Sequence, residues 1–176
     1  RYFTGKTQFD RKMNELKNKP AKEFFPKDIS DILKKPINQE GKQLNAEQIN
    51  AIEMVFKNSF TIVSGGPGTG KTTIIQTLLE CLVKTGFPPE KISIAAPTGR
   101  AAQRIKETLS KFEGISPKTI HRLLEFQPHK NSFYYGKNNF LPCEILILDE
   151  VSMVDISLMT NLLQAVSENT KVVFLG

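Results

Sequence analysis

Residues 60–84 read FTIVSGGPGTGKTTIIQTLLECLVK, and this stretch decides the fold. An apolar, β-rich run (60–64) stops at a glycine-rich turn, and a helical pattern follows with Ile74/Ile75, Leu78/Leu79 and Leu82/Val83 on one face. The turn, GGPGTGKTT (65–73), satisfies G-x-x-x-x-G-K-[ST] from Gly65 to Thr72. Its glycines at 65, 66, 68 and 70 let successive backbone N–H groups face inward around a phosphate without Cβ clashes. The helix that begins near Lys71 adds the positive end of its dipole. The Lys71 ammonium can then reach β- and γ-phosphates, and the Thr72 hydroxyl suits a Mg²⁺ shell. The sequence therefore predicts a nucleoside triphosphate site, with Gly66, Pro67, Gly68, Thr69, Gly70, Lys71, Thr72 and Thr73 around the phosphates.

The same alternation continues outward. ISIAA (92–96), ILILD (145–149) and VVFL (172–175) are further strand-like runs. Helical patterns are expected at 99–112, with Ala102, Ile105, Leu109 and Phe112 inward, at 118–126, and at 155–167, with Ile156, Met159, Leu162/Leu163 and Val166 inward. Upstream, LNAEQINAIEMVFK (44–57) has Asn45 with Gln48 three residues on, which predicts a capping box. Continuous apolar strands alternating with amphipathic helices imply an α/β fold with a parallel sheet covered on both faces. SFYYGKNNF (132–140) reads as a small hairpin or exposed loop, its tyrosines packing within it. Residues 1–43, with Pro20, Pro26, Pro36 and eleven Lys/Arg, read as the helical end of a preceding domain plus a linker.

ILILDEVSMVD (145–155) supplies a second half to the site. Its strand delivers Asp149 and Glu150 to the C-terminal edge of the sheet, where open α/β folds bind ligands. Asp149 is expected to hold Mg²⁺ through a water, and Glu150 to orient or deprotonate an attacking water, so hydrolysis is implied. In IAAPTGRAAQRI (94–105) a turn at Pro97-Thr98-Gly99 opens a helix at Arg100, a geometry suited to phosphate. His121 and Arg122 fall on a short helix. A lone His without a nearby Cys, His or acid is a structural or DNA-contact residue rather than a catalyst.

Charge is uneven. Residues 91–140 carry nine Lys/Arg against three acids, and 141–176 carry one against five, within a chain of net charge +6. A basic middle beside an acidic end fits a polyanion-binding surface next to a metal-binding carboxylate pair. With 176 residues and 39% hydrophobic content the chain can bury a core, which excludes wholesale disorder. No apolar run approaches a membrane span and no signal peptide is apparent. Two cysteines without metal spacing fit a reducing, cytoplasmic setting. Cys81 is expected on the buried side of its helix.

GGPGTGKTT, APTGRAA (96–102), TIHRLLEF (119–126) and LDEVSMVD (148–155), in that order, resemble successive motifs in the first motor domain of superfamily 1 DNA helicases, specifically the RecD family. The wording of the last two is closer to stand-alone RecD-like helicases than to the exodeoxyribonuclease V alpha subunit. The resemblance covers 44–176 and implies a RecA-like P-loop NTPase fold. It implies ATP and Mg²⁺ as cofactors, and ATP hydrolysis coupled to 5′-to-3′ translocation on single-stranded DNA in recombination and repair. Other subunits of a helicase–nuclease complex are possible partners on this reading. Gln48 resembles the glutamine that reads the adenine edge. Pro97, Thr98, Gly99 and Arg100 resemble one DNA-contact motif, and Thr119 and His121 the next. The second motor domain, with its arginine finger, has no counterpart in these residues. They are therefore expected to bind nucleotide with little turnover on their own. The alternatives are an AAA-type protein-remodelling ATPase and a nucleotide-holding scaffold module without motor activity.

Overall fold

The computed structural model describes residues 9–15, 44–64 and 70–176. Of the expected preceding-domain end and linker at 1–43, residues 1–8 and 16–43 lie outside them, as do Gly65, Gly66, Pro67, Gly68 and Thr69 of the glycine-rich turn. Five parallel strands form one sheet: β1 (Phe60–Val63), β2 (Ile92–Ala96), β3 (Lys118–Thr119), β6 (Ile145–Leu148) and β7 (Lys171–Leu175). Their spatial order is β1-β7-β6-β2-β3. Strands β4 (Phe126–Gln127) and β5 (Ser132–Phe133) make a separate antiparallel pair. The main helices are α1 (Ala46–Lys57), α2 (Lys71–Lys84), α3 (Gly99–Thr108), α4 (Ile120–Leu123) and α5 (Ile156–Gln164).

The period-2 alternation of a strand divides the apolar residues between two cores. Ile145 and Ile147 of β6 join Val173 and Leu175 of β7 and Ile92, Ile94 and Ala96 of β2 beneath α1, α2 and α3. Leu146, Leu148, Val172 and Phe174 face the other way, against α4 and α5, where Phe9 and Met13 of the helical segment 9–15 also pack. All four residues of β6 are fully buried, which is why this strand reads as an unbroken apolar run. The sheet is thus covered on both faces at its centre. At its edge, Ile62 of β1 is 56% exposed.

Three helices differ from the sequence pattern. The segment 118–126 holds only the four-residue α4 between β3 and β4. Thr119 starts that helix late by accepting the Arg122 N–H, and Glu125, with φ +54°, turns the chain out into β4. Helix α3 stops at Thr108, so Leu109 is buried just past its end and Phe112 packs on the core from a loop. Helix α5 starts at Ile156, because the Asp155 carboxylate accepts the Leu158 N–H at 2.7 Å and fixes the boundary. Ile156 itself is only half-buried. Val83, placed on the inward face of α2 by its spacing, is 46% exposed. The expected hairpin at 132–140 begins earlier, since Phe126 pairs with Phe133, and a tight turn closed by Gly136 and Asn139 follows. Tyr134 and Tyr135 do pack edge to face, with centroids 5.0 Å apart.

Lys171 was not singled out by any motif. It opens β7 at 2% exposure, and its ammonium donates to the carbonyls of Val55, Phe56 and Asn58 at 2.6, 3.0 and 2.6 Å. A buried ammonium thereby satisfies carbonyls at the C-terminal end of α1, where the helix dipole is negative.

Candidate nucleotide site and basic sheet edge

Parallel strands deliver all their following loops to one edge, and the sheet order decides which loops become neighbours. Along that edge stand Ser64 after β1, then Gly176 after β7, Asp149 and Glu150 after β6, Pro97 to Gly99 after β2, and Thr119 at the end of β3. Adjacent strands are about 4.8 Å apart, so the strand that leads to the glycine-rich turn and the strand that carries Asp149 are separated by about 10 Å.

At the first end, Gly70 precedes α2 with φ +79°, a conformation that favours glycine. A Cβ there would also collide with the Gln48 side-chain amide. Gln48 forms the expected capping box: its Oε1 accepts the Asn45 N–H at 3.0 Å, while its own N–H donates to Asn45 Oδ1 at 2.8 Å. The Nε2 of Gln48 is thereby left against Gly70. Lys71 is half-buried at the start of α2, and its Nζ donates to the Gly176 carbonyl at 3.0 Å. Thr72 is exposed beside it and Thr73 half-buried.

In the middle, the Asp149 N–H donates to the Ala95 carbonyl at 3.0 Å, which extends the β6–β2 ladder by one residue. Asp149 Oδ1 accepts the Glu150 N–H at 2.8 Å. Glu150 sits at φ +53° and ψ +44°, left-handed backbone that a non-glycine residue rarely adopts. Such strain clusters at functional sites, because something must hold it there. Both carboxylates are half-buried.

Both are oxygen donors, as is the Thr72 hydroxyl, so the set suits a hard cation such as Mg²⁺. Among the described residues no group of three or more His, Cys, Asp or Glu comes together. A dedicated all-protein cage is therefore not what these residues build. One or two protein oxygens supplemented by phosphate are the usual Mg²⁺ arrangement.

At the far end, Thr98 caps α3, its Oγ1 accepting the Ala101 N–H at 3.2 Å, with Gly99 and Arg100 exposed in the first turn and Pro97 half-buried behind them. Thr119 caps α4 in the same way, its Oγ1 accepting the Arg122 N–H at 3.2 Å. Each hydroxyl accepts from its helix and so keeps its own O–H free to donate outward. His121 is exposed, and its ring stands against Phe126 and Phe133 at centroid distances of 6.0 and 5.8 Å. The hairpin thus supports His121, a connection invisible to motif reading because its signal is tertiary. Both thiols are buried, Cys81 completely. Burial pushes the Cys81 thiol up to about 11, the Glu80 carboxylate adding to it, and burial raises Cys143 as well. Among the described residues no helix is long and apolar enough to cross a membrane.

Comparison with known proteins agrees with this architecture. A family model described as an AAA domain matches residues 48–176. The RecBCD enzyme subunit RecD of Buchnera aphidicola subsp. Acyrthosiphon pisum is 37% identical over 173 residues, which is 91% of this chain and 28% of that protein. The ATP-dependent RecD2 DNA helicase of Deinococcus radiodurans is 33% identical over 135 residues, covering 77% of this chain and 18% of that one. The chain thus spans about a quarter of the length of the curated RecD subunits it matches. Among solved structures, the UvsW helicase from bacteriophage T4 superposes with a TM-score of 0.61 at 14% identity, over 90% of this chain and 62% of that one, a likeness of fold. With the parallel sheet, the capped helices and the motif order in place, the chain belongs to the AAA-domain family with a RecA-like P-loop fold, and it is a relative of the RecD helicase proteins.

Proposed function

We propose that residues 44–176 are the first motor domain of an ATP-dependent DNA helicase that moves 5′ to 3′ on single-stranded DNA in recombination and repair, in the cytoplasm. One observation carries this reading: the chain at Asp149, just past β6, is hydrogen-bonded to β2 immediately ahead of the turn at 97–100 that precedes Arg100, Asp149 N–H to Ala95 O at 3.0 Å. Hydrolytic chemistry and polyanion contact would then share adjacent strands, as coupling between them requires.

In this reading Gln48 reads the adenine edge through its Nε2, and Gly66 to Thr73 cradle the phosphates. Lys71 exchanges the Gly176 carbonyl for phosphate oxygens. Thr72 and Asp149 would hold Mg²⁺, which would supply positive charge to offset that of the phosphates. The Glu150 carboxylate orients the attacking water and accepts its proton. Pro97, Thr98, Gly99 and Arg100, with Thr119 and His121, contact the DNA backbone. Turnover in these residues alone is low, because a transition-state arginine in trans accounts for about 10³–10⁵ in rate in comparable NTPases. Partner subunits of a helicase–nuclease complex fit the RecBCD subunit name carried by several relatives.

The test is the ATPase rate of the full-length protein with and without single-stranded DNA, beside Lys71→Ala. Strong stimulation, lost in the variant while DNA binding persists, is the expected result. Turnover that DNA does not stimulate would overturn the motor reading. Stimulation by protein would favour remodelling, and an inert Lys71→Ala a scaffold.

A further inference from the structure

Between α3 and the β3–α4 corner runs an open groove of about 400 Å³, lined among others by Gly99, Gln103, Lys106, Lys118, Thr119 and Arg122. Three of its nine lining residues are cations and none is an acid. The single carboxylate of α3, that of Glu107, instead accepts a hydrogen bond from the Gln103 amide at 3.2 Å. None of the three cations forms an ion pair with a described residue, and all three are exposed. Three like charges converging without a counter-ion repel one another, and a bound anion relieves that repulsion.

The groove's uncharged groups point the same way. At one end lies the first turn of α3, whose leading amides have no acceptor within the helix. Apart from its chain neighbours and its own helix backbone, nothing lies within 4 Å of where a Gly99 Cβ would be, so the backbone there is open to close approach. At the other end the Thr119 hydroxyl keeps its proton free to donate. No aromatic residue lines the groove, so it offers nothing for a base to stack on; the exposed His121 and Phe126 rings lie outside it. Its chemistry selects phosphodiester.

We infer that Lys106, Lys118 and Arg122 form a phosphate-holding groove that grips the backbone of single-stranded DNA between the turn at 97–100 and Thr119. The inference rests on the motor reading above and adds three residues to it. It also explains why three of the nine cations of the basic middle converge on one place.

The test measures binding of a labelled oligothymidylate to the full-length protein from about 50 to about 200 mM salt. Replacing all three (Lys106→Gln, Lys118→Gln, Arg122→Gln) is expected to weaken binding about tenfold and flatten the log–log salt slope by about 0.7 or more, the share of one phosphate on a single strand. The same charge removed elsewhere (Lys57→Gln, Lys84→Gln, Lys91→Gln) leaves the slope unchanged. Arg122→Lys keeps the wild-type slope, whereas Arg122→Gln alone flattens it. Should the triple variant fail to fold by circular dichroism, the exposed Lys118→Gln carries the same test. An unaltered slope in a folded variant overturns the groove and leaves the motor reading standing. Flattening with oligouridylate RNA but not with oligothymidylate overturns the choice of DNA. Wild-type protein that binds no oligothymidylate overturns the motor reading and the groove with it.

Discussion

The two ends of one sheet edge are built in opposite ways. At the β1–β7–β6 end, polar groups are already engaged: Lys71 on the Gly176 carbonyl, Gln48 in its capping box, Asp149 on the Glu150 amide. At the β2–β3 end, cations stand exposed around an open groove without carboxylate partners among its lining residues. A site that stabilises charge developing at one point gains from fixed, preorganised donors. A surface that must let a polyanion pass gains from solvated cations that exchange partners cheaply. On the function proposed above, the contrast sets a chemical step beside a moving track.

The sharpest way to break the comparison is at the fixed end. Lys71→Ala is expected to lower ATP hydrolysis in the full-length protein by about 10³-fold, the scale of losing a preorganised charged donor. Glu150→Gln keeps the left-handed backbone and the size of the side chain but removes the base. Turnover should fall about 10²-fold with nucleotide affinity nearly unchanged, measured by steady-state kinetics beside direct nucleotide binding. An equal loss of affinity would make Glu150 a structural residue.

Smaller effects separate architecture from chemistry. Lys171→Met leaves three carbonyls near the end of α1 without their ammonium, and should cost about 3 kcal/mol or more in denaturant unfolding. By contrast, Ile62→Ala at the exposed sheet edge should change stability by about 0.5 kcal/mol or less. Thr98→Ala removes the cap of α3 and should cost about 1 kcal/mol, together with a weakening of oligothymidylate binding. Weakening without a loss of stability would mean that the hydroxyl serves DNA alone.

A pH dependence is expected as well. Below pH 9 the Cys81 thiol is protonated in both folded and unfolded chains. Because burial pushes the folded thiol up to about 11 from 9.0, only the unfolded thiol ionises between those values, so stability falls as pH rises through that window. Thermal melts at pH 8 and pH 10 should show that fall, and Cys81→Ala should reduce it.

The strand and helix that flank the glycine-rich motif, and the strand that ends at Asp149 and Glu150, were legible from residues 60–84 and 145–155, because they depend on short-range spacing. The Asn45–Gln48 capping box was legible for the same reason, its partners being three residues apart. Legibility failed where a distant partner set the outcome. The α4 region shows helical periodicity, but Thr119 lies in a sheet strand and Glu125 turns out to meet Tyr134 through a backbone hydrogen bond of 3.0 Å. Val83 obeys the period of α2 yet lies beyond the reach of the core. Lys171 reads as a flanking charge and proves to be a buried cap, since its carbonyl partners are more than a hundred residues away.

The sequence by itself determined the alternation of strands and helices, the glycine-rich motif between the first strand and its helix, the strand-end carboxylate pair and the basic middle, all of which are encoded in side-chain period and local composition. Only the tertiary structure decided which of these stand together. The sheet runs β1-β7-β6-β2-β3, so motifs far apart in the chain become neighbours about 4.8 Å apart, and Lys106, Lys118 and Arg122 converge on one groove. Strand order is set by which apolar faces can be buried together between two layers of helices, a property of the whole chain that no local window contains.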